Sequence, residues 1–269
     1  MRFSVLFIFF SSIIASVISD CSEVSPPLRT VPPELINAFT LNGQIPIRYH
    51  YFNDAYSSEE PLVYTHERVQ HLIANAKARQ TMYYGQTDKY LYQALDQYLD
   101  RIEGKSVAVI GSVVPWYESI LISYGALPTT IEYNRIISED PRLKVLTVQE
   151  HEENPQQYDA VLSISSFEHD GLGRYGDPID PDGDLKAMEK VRHMLKEGGI
   201  LFLAVPVGQD YLVWNACRIY GQLRLKALLE GWEIIGSYGY SPDNLEDRES
   251  SWYHQPVFVL KPKKYFKPE

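Results

Sequence analysis

The feature that most constrains this chain is a series of short apolar runs rich in β-branched residues, separated by stretches of helical spacing. SVAVIG (106–111), TTIEY (129–133), residues 143–148, YDAVLS (158–163) and ILFLAVPVG (200–208) read as strands, several of them apolar enough to be buried on both faces. Between them, Pro115 opens a helix running through Trp116, Ile120, Leu121 and Tyr124 to Gly125. DLKAMEKVRHMLKEGG (184–199) places Leu185, Met188, Val191 and Leu195 on one helical face, with Gly198 and Gly199 closing the helix. Residues 223–229 read as another helix, and GWEIIGSYGY (231–240) and PVFVLKP (256–262) as two final strands. This alternation predicts a three-layer α/β fold, a mostly parallel sheet with helices on both faces. In such sheets ligands bind beyond the carboxyl ends of the strands.

Two regions precede the pattern. Arg2 stands before an apolar stretch from Phe3 to Ile18, which predicts that residues 1–19 are a signal peptide cut before Asp20. At roughly 1.5 Å per residue the stretch reaches about 24 Å, short of the ~30 Å hydrocarbon layer, which favours cleavage over a type II membrane anchor. The chain is therefore expected in the secretory pathway, secreted or lumenal, with membrane contact only if the segment stays uncut. Residues 20–86 are expected to form an irregular and helical extension, rich in Pro and aromatics without a sustained period as far as about Pro61. The main domain is assigned to 87–269, opening with the helix TDKYLYQALDQYLDRIEGK (87–105), in which Thr87 is the expected cap and Gly104 the stop.

A net charge of -10 argues against nucleic acid or an anionic membrane as the main partner, and KPKKYFK near the C-terminus reads as a solvated tail. Cys21 and Cys217 would be the two thiols of the mature chain; one bridge is no disulfide framework, and pairing and separate burial both stay open. No N-x-S/T acceptor follows the signal.

The first candidate site is the turn after SVAVIG. Gly111 lets a ligand approach backbone, and the helix start beyond Ser112 offers free N–H groups. Glu132 follows Gly111 by 21 positions (132 − 111), close to the spacing of about 20 at which an acid at the tip of the second strand binds ribose hydroxyls. The alternative is an ordinary strand-to-helix turn with a solvated Glu132.

The order VAVIG, IEY, YDAVLSISSFEHDG and MEKVRHMLKEGGILFLAVPVG resembles the class I S-adenosylmethionine-dependent methyltransferase superfamily, over about Tyr98 to Leu260. VIGSVVPWYE and FEHDGLGRYGDP also resemble a Caenorhabditis family catalogued as a domain of unknown function. The resemblance implies a Rossmann-like methyltransferase sheet and S-adenosylmethionine as cofactor. It implies Gly111 and Ser112 beneath the methionine half, Glu132 on the ribose, and the segment Gln149-Glu150-His151 beside the adenine. The chain departs from the superfamily at VIGSVVPW, where Val113 and Val114 bring β-branched bulk to a turn usually rich in glycine. Trp116 and Tyr117 can face a sulfonium or pack in the core, and packing is favoured.

The resemblance also gives the long loop SSFEHDGLGRYGDPIDPDGDL (165–185) a location, the carboxyl edge after the fourth strand. There Glu168, His169 and Asp170 are candidate proton carriers for transfer to a hydroxyl, with His169 preferred as base for its unperturbed pKa of about 6.5. His169 alternatively only bonds backbone and holds the loop. Arg174 and Tyr175 are candidates for binding an anionic or sugar-like substrate, or partners for nearby acids. Asp177, Asp180, Asp182 and Asp184 form a rival metal site, but their spacing misses the calcium loop, so no metal is assigned and turn and helix-start roles are favoured. The chain lacks a G-x-S-x-G elbow, and its 7 His residues show no zinc spacing. Two functions result: methyl transfer to a small-molecule or glycan acceptor, or a non-catalytic binding or scaffolding protein on the same fold.

Overall fold

The computed structural model describes residues 26–54, 61–247 and 254–264; the apolar segment 1–19, Cys21 and the end of the tail lie outside the described residues. Seven strands build the central sheet: β1 (Ser106–Ile110), β2 (Leu127–Glu132), β3 (Lys144–Thr147), β4 (Tyr158–Ile164), β5 (Leu195–Ala204), β6 (Trp232–Tyr238) and β7 (Val257–Pro262). Their spatial order is β3-β2-β1-β4-β5-β7-β6. β1 to β5 pair in parallel, and β7 runs antiparallel to both β5 and β6. The 3-2-1-4-5 run is the doubly wound arrangement, with a reversed strand inserted before the sixth. The protein is thus a three-layer α/β molecule with a mostly parallel, Rossmann-like sheet.

The period-2 alternation of each strand splits the core in two. Val107, Val109, Leu162 and Phe202 face the helices α1 (His66–Lys77), α2 (Gln86–Gln97) and α3 (Trp116–Ser123), through Leu72, Leu91, Leu95, Ile120 and Leu121. Ala108, Val161, Leu201 and Leu203 face the other layer: α4 (Val148–Glu153) through Val148, α5 (Gly183–Met194) through Met188 and Val191, and α6 (Arg224–Leu228) through Leu225 and Leu228. No helix among the described residues is long and apolar enough to cross a membrane.

The local expectations need three corrections. Gly85 (φ +47°) stands at the cap of α2, while Thr87 is buried inside the helix and donates its hydroxyl to the Gln255 carbonyl at 2.8 Å. α5 stops at Met194: Leu195 already pairs with Tyr158, and LKEGG forms the irregular start of β5, where the register steps to Ala160 and Ile200. The extension also contributes strands. Residues Ile47–His50 pair in parallel with Tyr211–Asn215, and Leu62–Tyr64 with Ile136–Ser138.

The loop after β4 is held from beneath by two buried arginines. Asp184, in the first turn of α5 and fully buried, accepts a forked pair of bonds from Arg224 and one from the Tyr220 hydroxyl at 3.0 Å. Arg218 donates to the carbonyls of Asp170 (2.6 Å), Asp180 (3.2 Å) and Pro181 (3.2 Å). Removing one partner of a buried pair leaves the other charge unmatched, so Asp184→Ala is expected to lower the unfolding free energy by about 3–5 kcal/mol. Urea denaturation measures this; a loss below about 1 kcal/mol, the scale of an exposed pair, would show that the cluster does not hold the loop.

Candidate functional site

The sheet order reverses between β1 and β4, and a cavity of about 1150 Å³ opens at the carboxyl ends of those strands. Gly111 leaves β1 at φ +71°, and a Cβ there would collide with the Ser166 hydroxyl, so the first turn and the loop after β4 touch at this point. Glu132, ending β2, accepts from the backbone N–H of Ser112 at 3.1 Å and of Tyr133 at 2.9 Å. Burial pushes the Glu132 carboxyl above its ordinary pKa, and the N–H groups of Tyr133, Asn134 and Ser112 oppose that rise. The carboxylate is therefore fixed by backbone at the cavity wall and is no freely solvated side chain. Tyr64, from the extension, braces the same turn by donating to the Ser112 carbonyl at 2.8 Å.

The residues expected beside the adenine divide. His151 lines the cavity with its ring stacked on Tyr158, 6.0 Å between centroids. Glu150 does not line it: its carboxylate closes a capping box, accepting from the N–H (2.7 Å) and hydroxyl (3.1 Å) of Thr147. Helix-start chemistry thus takes the acid that the resemblance directs to the cofactor. Val113, 66% exposed, and Val114 both line the cavity, so the β-branched bulk at this turn stands at the cavity wall.

On the opposite wall, Glu168, His169 and Asp170 come together, and their environments separate them. Glu168 is 1% exposed; the Ser165 hydroxyl donates to its Oε1 at 2.6 Å, and its Oε2 has no hydrogen-bond partner. Burial raises its pKa from 4.5 to about 7, with the Ser165 bond opposing. Asp170 is pushed up to about 8, by burial first and then by the Asp177 carboxylate. His169 goes the other way, down to about 4, because burial disfavours its cation and Arg174 repels it. Its Nδ1 lies 2.6 Å from the Ala216 carbonyl, which fixes the proton on Nδ1 and leaves Nε2 facing Glu168 Oε1 at 3.7 Å. With a pKa near 4 His169 accepts protons weakly at neutral pH, and Glu168 is the better matched group.

Arg174 and Tyr175 also line the cavity. The Arg174 guanidinium donates to Asp54 at 2.7 Å and packs against the rings of Phe52 (4.3 Å) and Tyr175 (4.9 Å). The four aspartates of the loop's second half point to separate tasks. Asp177 accepts from the N–H groups of Gly171, Gly173 and Tyr175; Asp180 pairs with Lys186; Asp182 lies 3.6 Å from Arg224; Asp184 anchors the arginine cluster. Among the described residues no three His, Cys, Asp or Glu side chains gather to hold a metal ion.

Several cavity residues escaped the sequence analysis. Ser165 adopts φ +53°, a strained setting for a residue other than glycine, and accepts a bond from Gln255 at 3.0 Å while serving Glu168. Asp88, buried at the start of α2, accepts from the Met82 N–H (2.7 Å) and the Trp116 indole (2.9 Å), and so sets the segment carrying Tyr83 and Tyr84 over the opening. A buried acid inside an amphipathic helix was the available signal for Asp88; Tyr83, Tyr84 and Gln255 left none.

A family model described as Caenorhabditis protein of unknown function, DUF268, matches residues 104–261, more than half of the chain. The chain belongs to this family. Among solved structures, CcbJ methyltransferase from Streptomyces caelestis is 13% identical, with 73% of this chain and 98% of that one covered at a TM-score of 0.42. A 1,6-didemethyltoxoflavin-N1-methyltransferase from Burkholderia thailandensis, with bound 1,6-didemethyltoxoflavin and S-adenosylhomocysteine, is 14% identical over 80% and 99% of the two chains at 0.44. The ribosomal protein L11 methylase of Lactobacillus delbrueckii subsp. bulgaricus is 11% identical over 66% and 79% at 0.42. No curated protein matches the chain. The DUF268 match begins just before β1 and so leaves Phe52, Tyr83 and Tyr84, which line the cavity, and Tyr64 and Asp88, which brace it, outside the family segment.

The raised carboxyl of Glu168 has a thermodynamic consequence. The folded chain holds this proton more tightly than the unfolded chain, so its stabilising contribution is complete below about pH 4.5 and is lost as pH rises through about 7. Glu168→Gln removes that dependence. The variant should gain on the wild type across this window by an amount on the order of 3 kcal/mol, read from urea unfolding at a series of pH values. Parallel curves would show that Glu168 titrates normally.

Proposed function

We propose that the protein is a methyl-transfer enzyme using S-adenosylmethionine on a small-molecule or glycan acceptor, working in the secretory pathway on the strength of its apolar segment 3–18. The observation that carries this is one cavity with two chemically distinct walls: a backbone-oriented carboxylate at the tip of β2, and a buried carboxyl with an unpartnered oxygen just beyond β4. The residues present fit the cofactor. Glu132 retains lone pairs for ribose hydroxyls beyond the N–H bonds that hold it, and Ile131, Val148 and His151 offer an apolar and aromatic slot for a base. The volume exceeds the ~300–1,000 Å³ of a usual single-ligand pocket, which suits two reactants.

S-adenosylmethionine supplies a methyl group carried on a positively charged sulfur. The protein's own share is alignment and proton handling. Asp88 fixes the roof and Ser165 fixes Glu168, so the acceptor is held between the Tyr83–Tyr84 segment and the loop after β4. Glu168 Oε2 takes the proton that the acceptor atom sheds, and its pKa near 7 suits that step at neutral pH. His169, bonded to the Ala216 carbonyl, positions the loop.

One observation favours the second function, a binding protein that lacks the chemistry. Ser166 packs over Gly111, and the Ser112 N–H is committed to Glu132, so the turn that would meet the methionine half is partly filled. Calorimetric titration of the full chain with S-adenosylmethionine and S-adenosylhomocysteine separates the two. We expect binding, weakened at least tenfold, about 1.4 kcal/mol, by Glu132→Ala. Absence of binding at millimolar cofactor overturns methyl transfer, and unchanged affinity in Glu132→Ala removes the ribose role.

A further inference from the structure

The charges on the cavity wall do not balance. Its lining carries Asp54, Glu132, Glu152, Glu168, Asp170 and Asp177 against two full cations, Arg174 and Lys190. Each cation already has an acid, Arg174 on Asp54 at 2.7 Å and Lys190 on Glu152 at 2.9 Å. Glu132 and Asp177 are satisfied by backbone N–H groups. Arg218 lies behind the loop, and its closest bonds go to the carbonyls of Asp170, Asp180 and Pro181. Glu168 and Asp170 are thus left without a cation bonded to them. Glu168 Oε2 makes no hydrogen bond, and no hydrogen bond reaches the Asp170 side chain among the described residues.

Aromatic rings surround this pair. Tyr84 bonds Ser165 and feels the charges of Glu168, Tyr83 and Tyr175; the Tyr175 ring stands 5.7 Å from His169; Tyr83 packs edge-on against Tyr84 at 4.7 Å. Tyr83 is 78% exposed at the mouth, beside Met82 and Tyr133, which are also exposed. Burial favours the protonated forms of both carboxyls, so an anionic ligand would find no free cation here, and a neutral hydroxyl would bring no charge that lets the acids ionise. A metal ion lacks a third ligand from the described residues. A protonated amine brings a charge, two or three N–H donors, and a cation that aromatic faces attract by about 0.5–2 kcal/mol.

We propose that the subsite bounded by Glu168, Asp170, Tyr83, Tyr84 and Tyr175 binds an organic amine with an apolar or aromatic body, so that the acceptor of this protein is an amine and not a hydroxyl compound or sugar; the bound ammonium would cede one proton to the ionised Glu168 carboxylate, which frees the nitrogen lone pair that methyl transfer requires. The word acceptor rests on the methyl-transfer function; the amine subsite itself does not.

The test uses the full chain and three probes of one shape: benzylamine, benzyl alcohol and benzoate. Titration calorimetry should show saturable benzylamine binding at least tenfold tighter than benzyl alcohol, and no benzoate binding. Glu168→Gln with Asp170→Asn should abolish the preference for the amine, and Tyr83→Ala, an exposed position whose loss leaves the core intact, should weaken benzylamine severalfold. Equal affinity for alcohol and amine, absence of benzylamine binding at about 10 mM, or a preference that survives the double variant overturns the proposal. S-adenosylhomocysteine is titrated separately. Cofactor binding without amine preference overturns the amine subsite alone, whereas amine preference without cofactor binding leaves the subsite and overturns methyl transfer.

Discussion

Two guanidinium groups taken out of water govern everything at the carboxyl edge of this sheet. Arg218 and Arg224 are each 5% exposed, and a buried guanidinium demands a partner for its charge and for its N–H groups. Arg224 obtains both from Asp184. Arg218 obtains its hydrogen bonds mainly from main-chain carbonyls, those of Asp170, Asp180 and Pro181, which belong to the two ends of one loop. The loop is drawn together around the side chain so tightly that a Cβ on Gly171 or Gly183 would strike the facing strand of chain, at Asp180 or at Asp170. Glu168, His169 and Asp170 are consequently displayed on a braced turn and not on a mobile one. Without that brace, two acids with raised pKa values would be free to swing into solvent and titrate normally.

The same edge depends on chain that precedes the sheet. The Tyr64 hydroxyl supports the turn after β1 and Asp88 ties the Met82 N–H to the Trp116 indole. Asn215 exchanges two hydrogen bonds with the backbone of Phe52, at 2.8 and 3.0 Å, and Phe52 in turn carries Arg174. The extension therefore acts as a wall of the cavity. A segment cut to the family match alone would lack Phe52, Tyr83 and Tyr84 from the cavity wall and keep Tyr175.

How much of this was legible in the sequence depended on how local each signal was. The strands β1, β4 and β5 were readable because both faces of each are buried, which forces a continuous apolar run. Glu132 was readable from its spacing to Gly111, since strand, turn and helix lengths fix that interval. The strands at 47–50 and 62–64 were not, because four- and three-residue pairings to distant chain leave no period. Glu150 misled for a different reason. It follows Thr147, which pairs with Glu132 at the tip of the second strand, yet the T-x-x-E pattern makes it a capping residue, and that competing local interaction took the side chain. Thr87 misled in the opposite way: it looks like a cap, and a carbonyl 168 residues away, that of Gln255, claimed its hydroxyl. The choice among Glu168, His169 and Asp170 could not be made from residue types at all. Type alone favours histidine near neutral pH; burial reverses the order, since it disfavours a cation on His169 and an anion on its neighbours.

That reversal also explains why the fold tolerates an arrangement that lowers its stability. Unpartnered buried carboxyls are uncommon in folded proteins, because each forgoes hydration without recovering a bond. Here Glu168 leaves one oxygen without a bond while Ser165, in a left-handed backbone setting, donates to the other, at the point where strand order reverses. Packing alone would be served better by Gln and Asn at 168 and 170, which fill the same volume without a charge to desolvate. Acids at these positions are useful when something positively charged arrives, because the incoming charge lowers both pKa values, lets the carboxyls ionise, and supplies the missing donors in one event. An arriving cation would meet the free oxygen of Glu168 beside the left-handed backbone of Ser165, and until then burial favours the protonated form of that carboxyl.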